Sequence, residues 1–518
     1  MVMLLSLGLL GCFDRTIPAG DPQRPDVVLI SVDSLRADHL SSYGYSRPTS
    51  PFFDQLATEG VRFAHARSAS PWTLPAHTTM LTGQLPSTHR VVEDGMAIDP
   101  SIPVLAEVMG AQGYATAGVV STLYVSRMFG FDRGFDYFTD FEILTERSNR
   151  NNKITIEDVV DEAIKFVSKQ SAGKPVFLFL HVYDVHYNYL PPEPYASRFD
   201  RPSNDDDPKY KNYFYFLENP LTAAQMTHQI NQYDESILYV DDQFSRLGDA
   251  LGRAGRAVQW VITSDHGEEF GERDTWGHAH TLYSEQLHIP LIMSGPGIPA
   301  GQVVEGWVGN HDIAPTIAGW AGAPGVLQAE GMDLAPILAG DITPPPRAFL
   351  AETSRFKTNK VSILEDDLRL EWNLNTDKAE LYAPLSDMVE QTDLADARPE
   401  DVARLQERIQ ELLGQPWEAS SPGTVQTEEF ARVLQSGSHE SLRVEPGARF
   451  QVLPYDAEVR FRESLPNGSK NHGPWQAHGG EHPTAEDPLA LHSDQRTTGV
   501  EMDDATRAQL EALGYIQE

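Results

Sequence analysis

Three apolar runs of strand length, at 27–32, 175–180 and 258–263, each deliver an acidic or imidazole side chain at the carboxyl end. The first runs into Asp33. The second runs into His181, with Asp184 and His186 close behind, and the third into Asp265-His266. A run without polar alternation suits a strand buried on both faces, as in a parallel sheet. Open α/β sheets place their ligand sites at the carboxyl ends of the strands. Three such ends bearing Asp or His are better read as one shared site than as three separate turn caps. Helical periodicity at 52–59, 102–112, 154–170 and 223–254, with a further strand at 289–293, completes the pattern. The expected fold class is α/β, a three-layer sandwich around a mainly parallel mixed sheet.

The stretch 70–83, Ser-Pro-Trp-Thr-Leu-Pro-Ala-His-Thr-Thr-Met-Leu-Thr-Gly, reads as a turn entering a short helix that stops at Gly83. Thr73 takes the N-cap position, and Pro75 lies in the first turn, where its missing N–H costs nothing. A hydroxyl there feels the positive end of the helix dipole, and an anion beside it meets free backbone N–H groups. His77, four residues on, falls on the same helix face as Thr73. A lone T-x-P would be an ordinary cap; the blocks around it argue otherwise.

The stretch resembles the sulfatase consensus Cys/Ser-x-Pro-x-Arg-x-x-x-x-Thr-Gly, with Thr73 at the Cys/Ser, His77 at the Arg, and Thr82-Gly83 closing it. Flanking blocks extend the resemblance from Asp26 to about Leu413: Ser31-Val-Asp33-Ser34-Leu-Arg36, Tyr43-Gly44-Tyr45, Ser264-Asp265-His266-Gly267-Glu268, Gly277-His278-Ala279-His280 and Asp312-Ile313-Ala314-Pro315-Thr316. The chain thus resembles the sulfatase branch of the alkaline phosphatase superfamily. It departs from that branch at the nucleophile. Sulfatases convert the motif Cys or Ser to formylglycine, and Thr73 cannot give formylglycine. A Thr nucleophile is instead similar to the superfamily's phosphodiesterases, phosphonate hydrolases and phospho-alcohol transferases.

By that resemblance Asp33, Asp265 and His266 match the family's metal ligands, with Thr73 bridging metal and substrate. Two carboxylates, an imidazole and a hydroxyl suit one divalent cation, drawn from manganese, magnesium, zinc and calcium. Many sulfatases carry Asp after the first ligand, where this chain has Ser34, and often Asn where His266 stands. His186, in Asp184-Val-His186-Tyr187-Asn188-Tyr189, matches the family's D-x-H-x-x-Y block and is the leading candidate for general acid and substrate contact. His278 and His280 flank the family's Lys position, here Ala279, and are further catalytic candidates, with His280 also placed against substrate. His77 joins them as the partner of Thr73. His181, ending an apolar strand, reads as structural, Asp234 and Asp241 as solvated or capping, and Glu268 and Glu269 as loop anchors.

The net charge of −35 argues against nucleic acid or an anionic membrane face as a broad partner. An anionic substrate remains compatible, because a metal reverses the local field. The single cysteine excludes an intrachain disulfide. Residues 1–11 are almost wholly apolar and end at Cys12, which resembles a lipobox: a lipoprotein-type signal peptide, then a tether over 12–25. Cys12 would be lipidated and hold the protein to a membrane in the cell envelope. The catalytic domain is expected over 26–345. A small antiparallel α+β subdomain follows over 346–418, with strands at 349–352, 361–365, 368–373 and 379–382 and a helix at 399–413. Residues 419–518 form a polar extension with one hairpin across 449–461 and a closing helix. The function expected is a metal-dependent hydrolase of oxyanion esters, phosphodiesters or phosphonates favoured over sulfate esters. An inactive scaffold of the same fold is the contrary reading.

Overall fold

The computed structural model describes residues 17–413 except 141–153, 205, 209–214 and 375, and beyond them short strands between 415 and 499. Cys12, the apolar run before it and the closing helix lie outside the described residues.

Eight strands form the central sheet: β1 (Asp26–Val32), β2 (Val61–Arg67), β3 (Ala115–Val120), β4 (Tyr137–Thr139), β5 (Val176–Val182), β6 (Val258–Thr263), β7 (His288–Ser294) and β8 (Gln302–Gly309). Their order is β8-β2-β7-β6-β1-β5-β3-β4. Only β7 runs against the rest, pairing antiparallel with both β6 and β2. β1 lies between β5 and β6, parallel to both, so the three expected strands are neighbours and their carboxyl ends open on one place.

Alternation of side chains across β1 divides the core. Val27 and Leu29 enter one apolar cluster with α2 (Thr73–Thr82), while Val28, Ile30 and Val32 enter the other with α1 (Pro51–Glu59) and α5 (Ala223–Arg253). The first layer also holds α3 (Leu105–Ala111) and α6 (Ile313–Trp320), and the second holds α4 (Ile156–Ser168). The protein is a three-layer α/β sandwich of the alkaline phosphatase-like kind, as its sequence predicts.

The second sheet is antiparallel, ordered β9 (Phe349–Thr353), β10 (Lys360–Glu365), β11 (Leu368–Asn373), β12 (Ala379–Tyr382). It packs Val361, Ile363, Leu370, Trp372 and Leu381 on Leu405, Ile409 and Leu413 of α7 (Pro399–Leu413). It is also bound to the catalytic domain by buried charge. Arg369 forms a two-pronged pair with Glu390 and donates to the Leu282 carbonyl at 3.2 Å. Glu371 and Glu390 accept from the Leu282 and Ser284 amides at 3.3 and 3.1 Å.

Two expectations change. From Ile17 the chain is not a free tether: Ile17 is buried, the Pro18 carbonyl accepts from Arg256, and the Ala19 carbonyl from the Gly173 amide. The 449–461 segment holds two strands, Arg449–Leu453 and Val459–Glu463, but each pairs in a different sheet, so they are not a hairpin.

Helix α2 stops where expected. Gly83 has a φ of 73°, and its carbonyl accepts from the Glu330 and Gly331 amides. A Cβ there would sit 2.5 Å from that of Ala329 and 3.2 Å from Pro315 Cδ. Gly83→Ala is therefore expected to destabilise by roughly 1–3 kcal/mol, read as a lowered denaturant midpoint with unchanged slope. An unchanged midpoint would show that the turn relaxes freely.

Candidate active site

Every residue of α2 is buried, and its first turn points toward the ends of β1, β5 and β6. Trp72, in extended conformation, takes the N-cap place, so Thr73 is the first helical residue and its side chain caps nothing. The sequence reading was one residue off here, with a chemical consequence. Thr73 Oγ1 is not spent on the helix and lies 3.5 Å from His266 Nε2.

Asp33, Asp265 and His266 are fully buried, and their donor atoms lie within 4.8 Å of one another. Ser34 arranges the two carboxylates. Its hydroxyl donates to Asp33 Oδ1 at 2.9 Å and its amide to Asp265 Oδ1 at 3.2 Å. A φ of 60° at Ser34, rare outside glycine, turns that amide inward. The other oxygens, Asp33 Oδ2 and Asp265 Oδ2, have no hydrogen-bond partner among the described residues. A buried carboxylate oxygen without a partner is costly, and a cation held by both residues would relieve that cost. His266 Nδ1 donates to the Gly267 carbonyl, which leaves Nε2 turned inward, 3.3 Å from Asp265 Oδ2 and 3.7 Å from Asp33 Oδ1. With metal–donor bonds of about 2.0–2.2 Å, neighbouring donors lie about 3–3.5 Å apart, so the set fits a divalent ion.

His77 lies behind the nucleophile rather than beside substrate. Its Nδ1 donates to the Thr73 carbonyl and its Nε2 meets Ser31 Oγ, both at 2.9 Å. Burial pushes His77 down to about 3, so it is neutral. It holds the first turn of α2 and brings no charge where the family motif has Arg.

A cleft of about 270 Å³ opens on Thr73, walled by Trp72, Tyr124, Tyr187, His278 and Arg355. His278 is the histidine that shares this wall with Thr73, and Glu268 Oε1 holds its Nδ1 at 2.9 Å. Burial raises Glu268 well above the usual carboxyl range, and burial, reinforced by His266 and His186, lowers His278 well below the usual imidazole range. His186 stands behind it at 4.8 Å between ring centres, its Nδ1 donating to the Tyr187 carbonyl. Burial holds His186 down to about 4. His280 is tied through Nδ1 to the His278 carbonyl and through Nε2 to Glu269 at 2.9 and 3.1 Å. Glu269 therefore anchors its loop as expected, and despite burial His280, Thr275 and Thr281 hold it down to about 2.

Sequence reasoning missed one cleft-side residue and the placement of a buried one. Arg355 stacks 4.1 Å over Trp72 and pairs with Asp94 and Tyr124. Burial opposes its charge, but Tyr124 and Asp94 outweigh that and move its pKa up. It stands far from the motif in sequence, and no spacing marked it. His181, expected as structural, faces Asp33 at the site. Asp234 is not solvated either: buried in α5, it takes His39, Tyr45 and Arg47. Asp241 does cap, accepting from the Phe52 and Phe53 amides at 2.9 Å.

A hydroxyl at a helix start, two carboxylates, an imidazole and a histidine–carboxyl pair make this a hydrolase site for esters of oxyanions. Residues 25–323, more than half of the chain, match the family model Sulfatase. The chain belongs to the sulfatase family. The ulvan-active sulfatase of Formosa agariphila is 25% identical over 379 residues, 67% of this chain and 71% of that protein. A phosphonate monoester hydrolase of Agrobacterium radiobacter shares the fold at a TM-score of 0.61 and 20% identity, over 75% of this chain and 95% of that one. A structure solved with its substrate D-glucosamine-2-N,6-O-disulfate superposes at 0.63 and 20% identity, over 75% and 98%.

Proposed function

We propose that this enzyme cleaves phosphodiesters, phosphonates or related oxyanion esters, with the Thr73 hydroxyl as nucleophile. The observation that carries the reading is Thr73 Oγ1, uncapped at the head of a buried helix and 3.5 Å from His266 Nε2. Asp33, Asp265 and His266, with Thr73, would hold a divalent cation, which supplies charge neutralisation and a lowered hydroxyl pKa. Thr73 Oγ attacks phosphorus, the ester oxygen departs, and phosphothreonine is left for water or an acceptor alcohol to resolve. His278, neutral and held at Nδ1 by Glu268, takes the Thr73 proton and gives it to the departing oxygen. Tyr183, Tyr187 and Glu268 keep His186 and His278 in place. Arg355 supplies the cleft with positive charge for the ester's oxygens, where the family motif's Arg and Lys are replaced.

Thr73 also bears on the choice of ester. A formylglycine hydrate can shed a bound ester by collapsing to its aldehyde, whereas an ester on Thr must be displaced at its central atom. That favours phosphorus over sulfur. With manganese present, kcat/KM for an aryl phosphodiester is expected to exceed that for an aryl sulfate at least about tenfold. A ratio below one would make Thr73 the nucleophile of a sulfatase that works without formylglycine. Lipidation at Cys12 in the cell envelope remains part of this proposal, supported by the apolar run before that residue.

A further inference from the structure

His181 lies in β5 in register with Ser31 of β1, and is fully buried. Neither of its ring nitrogens has a hydrogen-bond partner among the described residues. A neutral imidazole carries one donor and one acceptor, and leaving both unmet in the core costs about 1–3 kcal/mol for each. Nε2 stands 3.3 Å from Asp33 Oδ2, yet without hydrogen-bond geometry. Asp33 Oδ2 is one of the two unpartnered carboxylate oxygens, and Asp265 Oδ2 is the other. One donor atom from each of His77, His181 and Asp265 falls within 4.8 Å of the others. In that group both His77 nitrogens are already engaged, by Thr73 and Ser31, so His181 is the imidazole still to be satisfied.

A donor pair 3.3 Å apart and outside hydrogen-bond geometry matches two ligands sharing one ion, whose separation follows from bonds of about 2.0–2.1 Å. The position is also chemically apt. Burial of His181 beside Asp33 leaves a cation as the partner that would satisfy both. We propose that His181 is an inner ligand of the same cation as Asp33, Asp265 and His266. This rests on reading that cluster as a cation site. The donors then comprise two imidazole nitrogens and oxygens from two carboxylates and Thr73. Such a set selects manganese, zinc or cobalt over calcium, which takes all-oxygen cages.

The test uses the full-length protein loaded with Co²⁺, comparing wild type and His181→Gln by visible absorption and by chelator competition. The variant is expected to shift and weaken the cobalt d–d bands and to lower affinity by about 10²-fold or more. Its preference for zinc over calcium should fall in parallel. Bands and affinity unchanged in a variant that keeps the wild-type thermal transition would overturn the assignment; a water beside His181 would then satisfy it. Pulsed EPR on Mn²⁺-loaded wild type decides the matter even where the variant does not fold. Two inequivalent coordinated imidazoles are expected, and one overturns the proposal while leaving the cation site intact. Two cobalt equivalents per wild-type chain, falling to one in the variant, would also overturn a single shared centre. A wild type that binds no cobalt at all would remove the cation-site reading itself.

Discussion

Thr73→Ala is expected to fold, keep its cation and lose turnover, with kcat/KM down by at least about 10³-fold. The separation of chemistry from stability follows from the helix start. Since Trp72 holds the N-cap place and the Thr73 side chain caps nothing, no cap is lost. Removing a Thr hydroxyl and methyl at this buried site should cost no more than about 1–2 kcal/mol. Thr73→Ser, which restores the hydroxyl, should recover much of the rate. Single-turnover assays with an aryl phosphodiester, beside a thermal scan, read both quantities. Undiminished rates in the alanine variant would remove Thr73 as nucleophile.

Asp265→Asn should abolish metal binding and activity together, and it carries a signature that a merely catalytic residue would not. In the wild type, stripping the cation would leave two buried carboxylates, each with an oxygen that has no hydrogen-bond partner among the described residues. Chelation should therefore lower the wild-type thermal midpoint. A ligand present at one hundred times its Kd stabilises by about 2.7 kcal/mol, which is several degrees in a scan. The variant has one buried charge fewer, so chelator should move its midpoint little. Elemental analysis together with scans with and without EDTA tests this. An equal midpoint loss in both proteins would show that the cation sits elsewhere.

The strands and the Asp33, Asp265 and His266 cluster were legible because local pattern dictates them. A run such as Val-Val-Leu-Ile-Ser-Val must be buried on both faces, and its carboxyl end must be where Asp33 emerges. The four strands and helix of the subdomain were equally readable from period and turns. What escaped depends on partners brought from afar. Nothing near His181 says that it will meet Asp33, because that contact follows from β1 and β5 being neighbours. Arg355 is marked by no motif; it matters because its loop reaches Trp72, and Asp94 and Tyr124 hold its charge. The sequence reading favoured His186 over His278 as the acid. The structure sets His278 on the cleft wall with Thr73 and His186 behind it, and that is a matter of loop packing. Ser34 read as a missing ligand, whereas its hydroxyl and amide set the angle of both carboxylates.

The buried charges that bind Arg369, Glu371 and Glu390 to the backbone at Leu282 and Ser284 reach the loop that carries His278 and His280. That loop is thus gripped from the far side by residues of another sheet. The two parts are not interchangeable modules. Grafting this catalytic domain onto a relative's subdomain would leave behind Arg355 of the cleft wall and misplace the imidazole. Conversely, drift in the subdomain offers a lineage a dial on turnover that leaves Thr73 and the Asp33, Asp265 and His266 cluster untouched.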